Sequence, residues 1–243
     1  MTAADGKQYN TDVVDAEQLL RLIQSIRSLG NYSKVKSKTV LIDESGDFGC
    51  QSRDLVMAAT VTEKIEVLRG IERKHQKNTG KRKTPGELKY VSSSPKKRMD
   101  VLSDVERIEP SIYVVVARKK DLPDGFGPDG IKLYFDVIRV LLSSVMDGET
   151  GPFEIIFDDH SAFHPKKRDG SIANLEETVT MEVAEGKNRS HEIIRVITAN
   201  SEKEKALQSH DFVVGSSKDW LIFGSRSPFK IIKKRSRLKE IRK

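Results

Sequence analysis

The sequence has few of the residues that build disulfide frameworks or membrane segments. It contains a single cysteine, Cys50, in 243 residues, which excludes an internal disulfide and favours a reducing compartment. No apolar run approaches the roughly 20 residues needed to span a bilayer, and the N-terminus lacks the apolar core of a signal peptide. We therefore expect a cytoplasmic protein without a membrane segment.

Several motifs of nucleotide and zinc chemistry are also missing. The sequence has no Walker loop, dinucleotide fingerprint, nucleophile elbow or Cys/His cluster with zinc spacing. Its five histidines are scattered, and His160 is the one that directly follows an acidic pair. Aromatic residues make up 6% of the chain, with Trp220 the only tryptophan. Carboxylates remain as the main candidates for chemistry.

Positive charge is concentrated in two segments. Residues 225–243 hold nine Lys or Arg and one Glu, and residues 64–98 hold twelve Lys or Arg and three Glu. Their net charges of +8 and +9 exceed the +7 of the whole chain, so the remainder is acidic, at −10. Basic segments attract nucleic acid phosphates, although a single lysine run can also be an ordinary solvated face.

This charge pattern predicts a nucleic acid partner, either DNA or RNA. The candidate phosphate contacts are Lys81, Arg82, Lys83, Lys89, Lys96, Lys97, Arg98, Lys233, Lys234 and Arg235. Because few aromatic residues accompany them, base stacking should be minor and sequence specificity low.

The apolar pattern predicts an α/β fold. Strands are expected over residues 38–43, 55–61, 111–118, 153–157 and 191–198. Helices are expected over residues 63–77, from Ser94-Pro95 onward, and over 131–146, 171–185 and 201–221. Alternating strands and helices predict a mixed sheet covered on both faces, and a short connection makes the first strand pair antiparallel.

Domain boundaries follow from the same pattern. Residues 1–37 are interpreted as an N-terminal helix, over residues 12–29, and a polar linker. That helix could pack on the core or mediate homo-oligomer formation. Residues 38–224 are interpreted as the main domain and residues 225–243 as a basic C-terminal tail.

Acidic residues stand where two predicted strands end. The first strand leads into Asp43 and Glu44, and the strand over residues 153–157 leads into Asp158 and Asp159. Open α/β sheets bind ligands beyond the carboxyl ends of their strands, so these acids are expected to share one site. Taken alone, Asp-Glu-Ser-Gly after the first strand could equally be a turn.

Two more acids are candidates for the same site. Asp211 lies in a mostly apolar helical segment, where it is either at the surface or a buried carboxylate with a purpose, since burying it unpaired would be costly. Glu87 lies in a Glu-Leu-Lys stretch, whose glutamate is usually solvated. Converging carboxylates repel one another unless a cation is bound or their pKa values rise.

Hard divalent cations suit such a set of oxygen ligands. Two ions about 4 Å apart can activate water and stabilise the leaving oxygen in phosphodiester cleavage. The sequence therefore predicts one or two Mg²⁺ or Mn²⁺ ions as cofactors.

Four segments, in order, resemble motifs of the DUF3800 family. Residues 42–47 resemble its opening signature, 86–90 its Glu-Leu-Lys-aromatic stretch, 156–159 its strand-ending aspartate and 207–215 its late Leu-Gln-x-x-Asp helix. The resemblance covers about residues 38–224. It implies a ribonuclease H-like fold, with a mixed five-stranded sheet flanked by helices and a metal site at the ends of the central strands.

The resemblance also implies roles for individual residues. Asp43 would be the central-strand ligand, Glu87 the second carboxylate, Asp158 the aspartate of the neighbouring strand and Asp211 the acid of the last helix. Glu44, Asp47 and Asp159 would be spare acids that replace or assist them. About 50 residues separate the second and third predicted strands, and His210 precedes Asp211 as a candidate proton shuttle.

Three functions agree with this pattern. The first is a metal-dependent nuclease, in which Asp43, Glu87, Asp158 and Asp211 are catalytic. The second is a non-catalytic nucleic acid-binding or assembly protein on the same fold, because a fold does not determine a function. The third is a phosphotransferase or ATPase, against which the missing phosphate loop argues.

Overall fold

A computed structural model describes residues 36–46, 54–76, 87–122, 130–159 and 175–241 of the chain. Its strands are β1 (Lys38–Ser45), β2 (Asp54–Thr62), β3 (Ser111–Arg118), β4 (Phe153–Asp158), β5 (Ile193–Ala199) and β6 (Ser236–Ile241). Its α-helices are α1 (Ile65–Gln76), α2 (Pro95–Arg107), α3 (Gly130–Gly148), α4 (Leu175–Gly186) and α5 (Lys205–Phe223).

The strands form one mixed sheet in the order β5-β4-β1-β2-β3-β6. The first three strands along the chain pair antiparallel, and β4 and β5 then add in parallel on the other side of β1. The 48 residues between β2 and β3 carry α1 and α2, and the two strands still pair side by side. The expected mixed sheet flanked by helices is confirmed.

Successive side chains of a strand point to opposite faces of the sheet, and each face packs against a different set of helices. On β1, Val40 and Ile42 pack in a core with α3 and α4, whereas Leu41 packs in a second core with α1, α2 and α5. β3 is apolar throughout because both of its faces are covered. The sheet is therefore the middle of three layers.

Helix boundaries follow capping signals. The hydroxyl of Ser94 accepts a hydrogen bond from the backbone N–H of Lys97, and Pro95 opens α2, as expected. α5 begins at Lys205 rather than at the predicted residue 201, because the Glu204 side chain caps it by accepting from the N–H of Ala206. Within the described ranges, no helix is both long and apolar enough to cross a membrane.

β6 is a sixth strand that the sequence did not predict. It pairs in parallel with β3, with Val114 opposite Leu238, and Arg118 forms an ion pair with Glu240. Before it, short 3-10 helices bury Phe229 in the core shared with α5. The sheet therefore has six strands where five were predicted, and residues 236–241 of the predicted tail lie in it, because lysines and arginines mask a segment anchored by a few apolar side chains.

Some expectations lie outside the described residues. They are the helix over residues 12–29 with its possible role in oligomer formation, Lys81, Arg82 and Lys83, and the spare acid Asp47.

Candidate functional site

β1 and β4 bring two predicted acids to the same edge of the sheet. The strands are adjacent and parallel, and Ile42 lies opposite Phe157. Asp43 and Asp158 are the next residues of their strands, so both follow at the carboxyl ends, the edge where open sheets bind ligands. Asp43 is buried, and its Oδ1 accepts the N–H of Glu44 at 2.7 Å.

Side-chain alternation directs both carboxylates to the layer of α5. Leu41 and Ile156, two residues before each aspartate, pack in the core that contains α5. Asp211 lies on that helix, and its Oδ2 accepts the N–H of Tyr90 at 2.7 Å. Burial raises the pKa of Asp211 to about 6, and the charge of Asp43 adds to the rise. Asp43 and Asp211 are therefore close enough for their charges to interact.

Glu87 reaches the same region with two partners. It accepts a hydrogen bond from the hydroxyl of Ser201 and pairs with Lys89 at 2.9 Å. Partial burial works to raise the pKa of Glu87, but the Ser201 hydroxyl and the Lys89 ammonium outweigh it and hold the pKa below its usual range. Glu87 is therefore a paired carboxylate in this structure.

Lys89 is a cation of this region and pairs with Glu87. Glu87 is the main cause of its raised pKa, and Asp211 and Asp158 contribute to the rise. The charge of Asp43 thus acts on Asp211, and the charges of Glu87, Asp158 and Asp211 act on Lys89.

Tyr90 fixes the segment that carries Glu87 and Lys89. Its ring packs against α5 at Gly215, where an added Cβ would lie 2.4 Å from the ring atom Cδ1. Its hydroxyl donates to Asp219, and the Arg98 guanidinium lies 4.2 Å from the ring centroid. Glycine at position 215 therefore permits the close approach of this segment to the helix.

Further acids surround Tyr134 on the opposite face of the sheet. This buried tyrosine of α3 has its pKa raised by burial, then by the charges of Glu44 and Glu176. Glu176 is a buried residue in the first turn of α4, and its position in the sequence does not single it out, because acids are common at helix starts. Asp159 follows β4 at the edge and is exposed.

The donor set suits a hard divalent cation, since carboxylate oxygens are the ligands that Mg²⁺ and Mn²⁺ prefer. The rise in the pKa of Asp211 caused by Asp43 is the repulsion that a bound cation would relieve. Among the residues that the structure describes, no three His, Cys, Asp or Glu side chains are already gathered as a metal-binding group. The chemistry of the donors therefore fits a metal, although their present positions are not those of a closed coordination sphere.

His210 does not have the geometry of a proton shuttle. It is 1% exposed, with Nδ1 at 2.9 Å from Thr60 Oγ1 and Nε2 at 3.1 Å from Ala58 O, both on β2. Because a carbonyl can only accept, Nε2 carries the proton and Nδ1 accepts from the threonine hydroxyl. Burial lowers the pKa of His210 to about 4. The suggestion of a shuttle was wrong, because the side chain joins α5 to the sheet.

Most of the predicted phosphate contacts in the described ranges have protein partners. Lys96 pairs with Asp100, and Arg98 donates to the backbone oxygens of Tyr90 and Val91. The basic cluster before β6, residues 233–235, contacts neighbouring parts of the protein. Lys233 is 4.4 Å from the Trp220 ring, Lys234 pairs with Glu106, and Arg235 pairs with Glu109.

Lys97 and Lys89 complete the predicted set. Lys97 is partly exposed on α2, and Lys89 is the one that lies beside the acids. Of the predicted contacts that are described, Lys89 is therefore the one whose charge interacts with three of the candidate acids.

The strand order and polarity, with three successive antiparallel strands and two parallel ones beyond β1, define a mixed α/β, ribonuclease H-like fold with a sixth strand. No family model matches the sequence, and no curated protein matches it. A chain of the PCNA:RNase HII complex from Archaeoglobus fulgidus is similar in structure, with a TM-score of 0.48 and 13% identity. The similarity covers 81% of this chain and 77% of that chain.

Proposed function

We propose that this protein is a divalent-metal-dependent nuclease, which cleaves phosphodiester bonds of DNA or RNA with little sequence specificity. The observation that carries the proposal is the register of β1 and β4, in which Ile42 lies opposite Phe157 and the next residues are Asp43 and Asp158. The effect of Asp43 on the pKa of Asp211 supports a third acid in the same site. The four motif resemblances support membership of the DUF3800 family.

Each side chain has a role in this proposal. Asp43, Asp158, Asp211 and Glu87 hold one or two Mg²⁺ or Mn²⁺, and Glu44 and Asp159 assist. When bound, such ions lower the pKa of water and stabilise the leaving oxygen. Asp43, at the end of a buried central strand, supplies a rigid anchor for the site, as catalytic geometry requires.

Substrate binding is assigned to cations around the same edge. Lys89 leaves Glu87 and neutralises a nonbridging oxygen of the scissile phosphate, where negative charge develops. Lys81, Arg82, Lys83, Lys96 and Lys97 contact flanking phosphates. Because phosphate contacts carry no sequence information directly, cleavage should depend little on base identity.

A second function, a non-catalytic nucleic acid-binding protein on this fold, is supported by a different observation. Glu87 is paired with Lys89 and Ser201, and Asp211 accepts the N–H of Tyr90. These contacts give two of the four acids a structural task that needs no metal. In that case the basic residues would bind phosphates and the acids would only hold the fold.

A nuclease assay separates the two functions. Single- and double-stranded DNA and RNA would be incubated with Mg²⁺ or Mn²⁺ and the wild-type protein, Asp43→Asn or Asp100→Asn. The matched control, Asp100, is exposed on α2 and pairs with Lys96. Cleavage by the wild type and the control but not by Asp43→Asn supports the nuclease. Equal cleavage by all three contradicts the proposed centre, and binding without any cleavage supports the second function.

A further inference from the structure

Gln208 is a buried amide at the junction of three segments. It lies on α5 and is 1% exposed. A buried amide must satisfy both its oxygen and its nitrogen. Its Oε1 accepts the N–H of Leu88 at 3.0 Å, and its Nε2 donates to the backbone oxygen of Ser201 at 2.8 Å. Because the N–H of Leu88 can only donate, the orientation of the amide is determined.

Both of these contacts act on Glu87. Leu88 is its neighbour in the chain, so the bond to the Leu88 N–H fixes the backbone from which the Glu87 side chain departs. Ser201 is the residue whose hydroxyl donates to Glu87 Oε1. The Gln208 side chain therefore holds the backbone next to Glu87 and also Ser201, the residue whose hydroxyl orients the Glu87 carboxylate.

We propose that Gln208 is a positioning residue of the candidate site, which acts through Glu87 and touches neither substrate nor metal. This inference rests on the proposed function. Partners that orient the ligands of a metal set its affinity, and their loss commonly weakens binding by about 10- to 100-fold. Two side chains of the Gln-x-x-Asp motif on α5 thus bind the same segment, because Gln208 accepts the N–H of Leu88 and Asp211 accepts the N–H of Tyr90.

The next residue of the same helix is a matched control. Ser209 is fully buried, and its hydroxyl donates to the backbone oxygen of Leu68 at 3.0 Å. Ser209→Ala removes a buried hydrogen bond from α5 but leaves the contacts of Glu87 unchanged. Any effect of general loosening of the helix would therefore occur in both variants.

Metal affinity is the measurement, by calorimetric titration of Mn²⁺ into the full chain without substrate. Gln208→Met, which keeps the length of the side chain but makes no such hydrogen bonds, should raise the dissociation constant about 10- to 100-fold. Ser209→Ala should leave it within about twofold. If Gln208→Met does not fold, Ser201→Ala tests the second arm, since it removes only the hydroxyl that Glu87 accepts, and it should also weaken binding.

A double-mutant cycle tests the route of the effect. Gln208→Met should weaken binding strongly in the wild-type background but little in a Glu87→Gln background, where the positioned carboxylate is already lost. Equal losses in both backgrounds, or a Gln208→Met variant that behaves like Ser209→Ala, would overturn the inference and leave the proposed function standing. Absence of metal binding by the wild-type protein would overturn the proposed function and the inference together.

Discussion

Two helices of 19 residues each lie on opposite faces of the sheet and are buried in different ways. The buried side chains described on α3 are apolar apart from the hydroxyl of Tyr134. α5 also buries apolar groups but adds five polar side chains, listed by position as Gln208, Ser209, His210, Ser216 and Ser217. Each of these makes a hydrogen bond to the sheet, to a neighbouring segment or to its own helix.

The two helices therefore contribute to the fold in different ways, one mainly to its stability and the other to the placement of neighbouring segments. Apolar burial is non-directional and scales with area, so α3 can stabilise the sheet without fixing any particular atom. Hydrogen bonds are directional and costly to leave unmade when buried. The polar side chains of α5 therefore hold particular neighbours in place, among them the backbone next to Glu87 and the strand β2.

The largest effect on stability is expected from α3. Leu141 is fully buried in the core of that layer, so Leu141→Ala should lower the free energy of unfolding by about 2–5 kcal/mol. Arg139→Ala, two residues earlier and exposed, should change it by less than about 0.5 kcal/mol. Denaturant titration measures both variants. Similar losses for the two would contradict the role assigned to this layer.

An acid-dependent loss of stability is expected from α5. The pKa of His210 is lowered to about 4 in the folded state, from an ordinary value of 6.5. Between these values the unfolded state binds more protons, so stability rises with pH and is lost as pH falls from 6.5 towards 4. The full contribution is about 3 kcal/mol.

His210→Gln, which does not titrate, should remove this part of the pH dependence. Unfolding free energies measured at several pH values from 4.5 to 7.5 should converge between wild type and variant as the pH falls. Parallel profiles would show that the protonation of His210 is not linked to folding.

A smaller effect is expected where α5 meets Tyr90. Gly215→Ala would place a Cβ 2.4 Å from the ring, so it should cost about 1–3 kcal/mol of stability through overpacking. Gly70→Ala, in α1 with no atom within 4 Å of the new Cβ, should instead stabilise the protein by about 0.5–1 kcal/mol. Thermal unfolding distinguishes the signs, and a stabilising Gly215→Ala would contradict the close approach.

The smallest effect is expected from Ser217. Its hydroxyl donates to Val213 O within the same helix at 2.7 Å, an oxygen that a helix already uses. Ser217→Ala should therefore change the free energy of unfolding by less than about 0.5 kcal/mol, because alanine favours the helix. A loss above about 1 kcal/mol in denaturant titration would indicate that this hydroxyl, too, positions a neighbouring segment.

The sequence predicted the parts of the fold that local patterns determine. The five predicted strands exist with small shifts of their ends, because each is an apolar run bounded by polar residues. Ser94-Pro95 predicted a helix start for the same local reason. β6 was missed because its pairing with β3 depends on a neighbour more than 100 residues away, and no local signal distinguishes it from a basic tail.

The candidate site was predictable only in part. Asp43 and Asp158 were found because they stop apolar strands, and the parallel pairing of those strands brings them level. The roles of Gln208 and His210 depend on which segments pack against α5. No local sequence pattern indicates those segments. The partners of Lys234 and Arg235, Glu106 at the end of α2 and Glu109 just after it, could not be predicted for the same reason.

Two pairs of consecutive acids, Asp43-Glu44 and Asp158-Asp159, lie near the carboxyl ends of β1 and β4. Consecutive residues of a strand point to opposite faces, so a shift of one residue in pairing would exchange the members of each doublet. Because each strand leads into two consecutive acids at this edge, such a slip would still leave a negative group on the inner side of each. The doublets thus keep a negative charge on the inner side after a one-residue shift in register, whereas Asp211 on α5 lies between His210 and Phe212 and has no acid beside it.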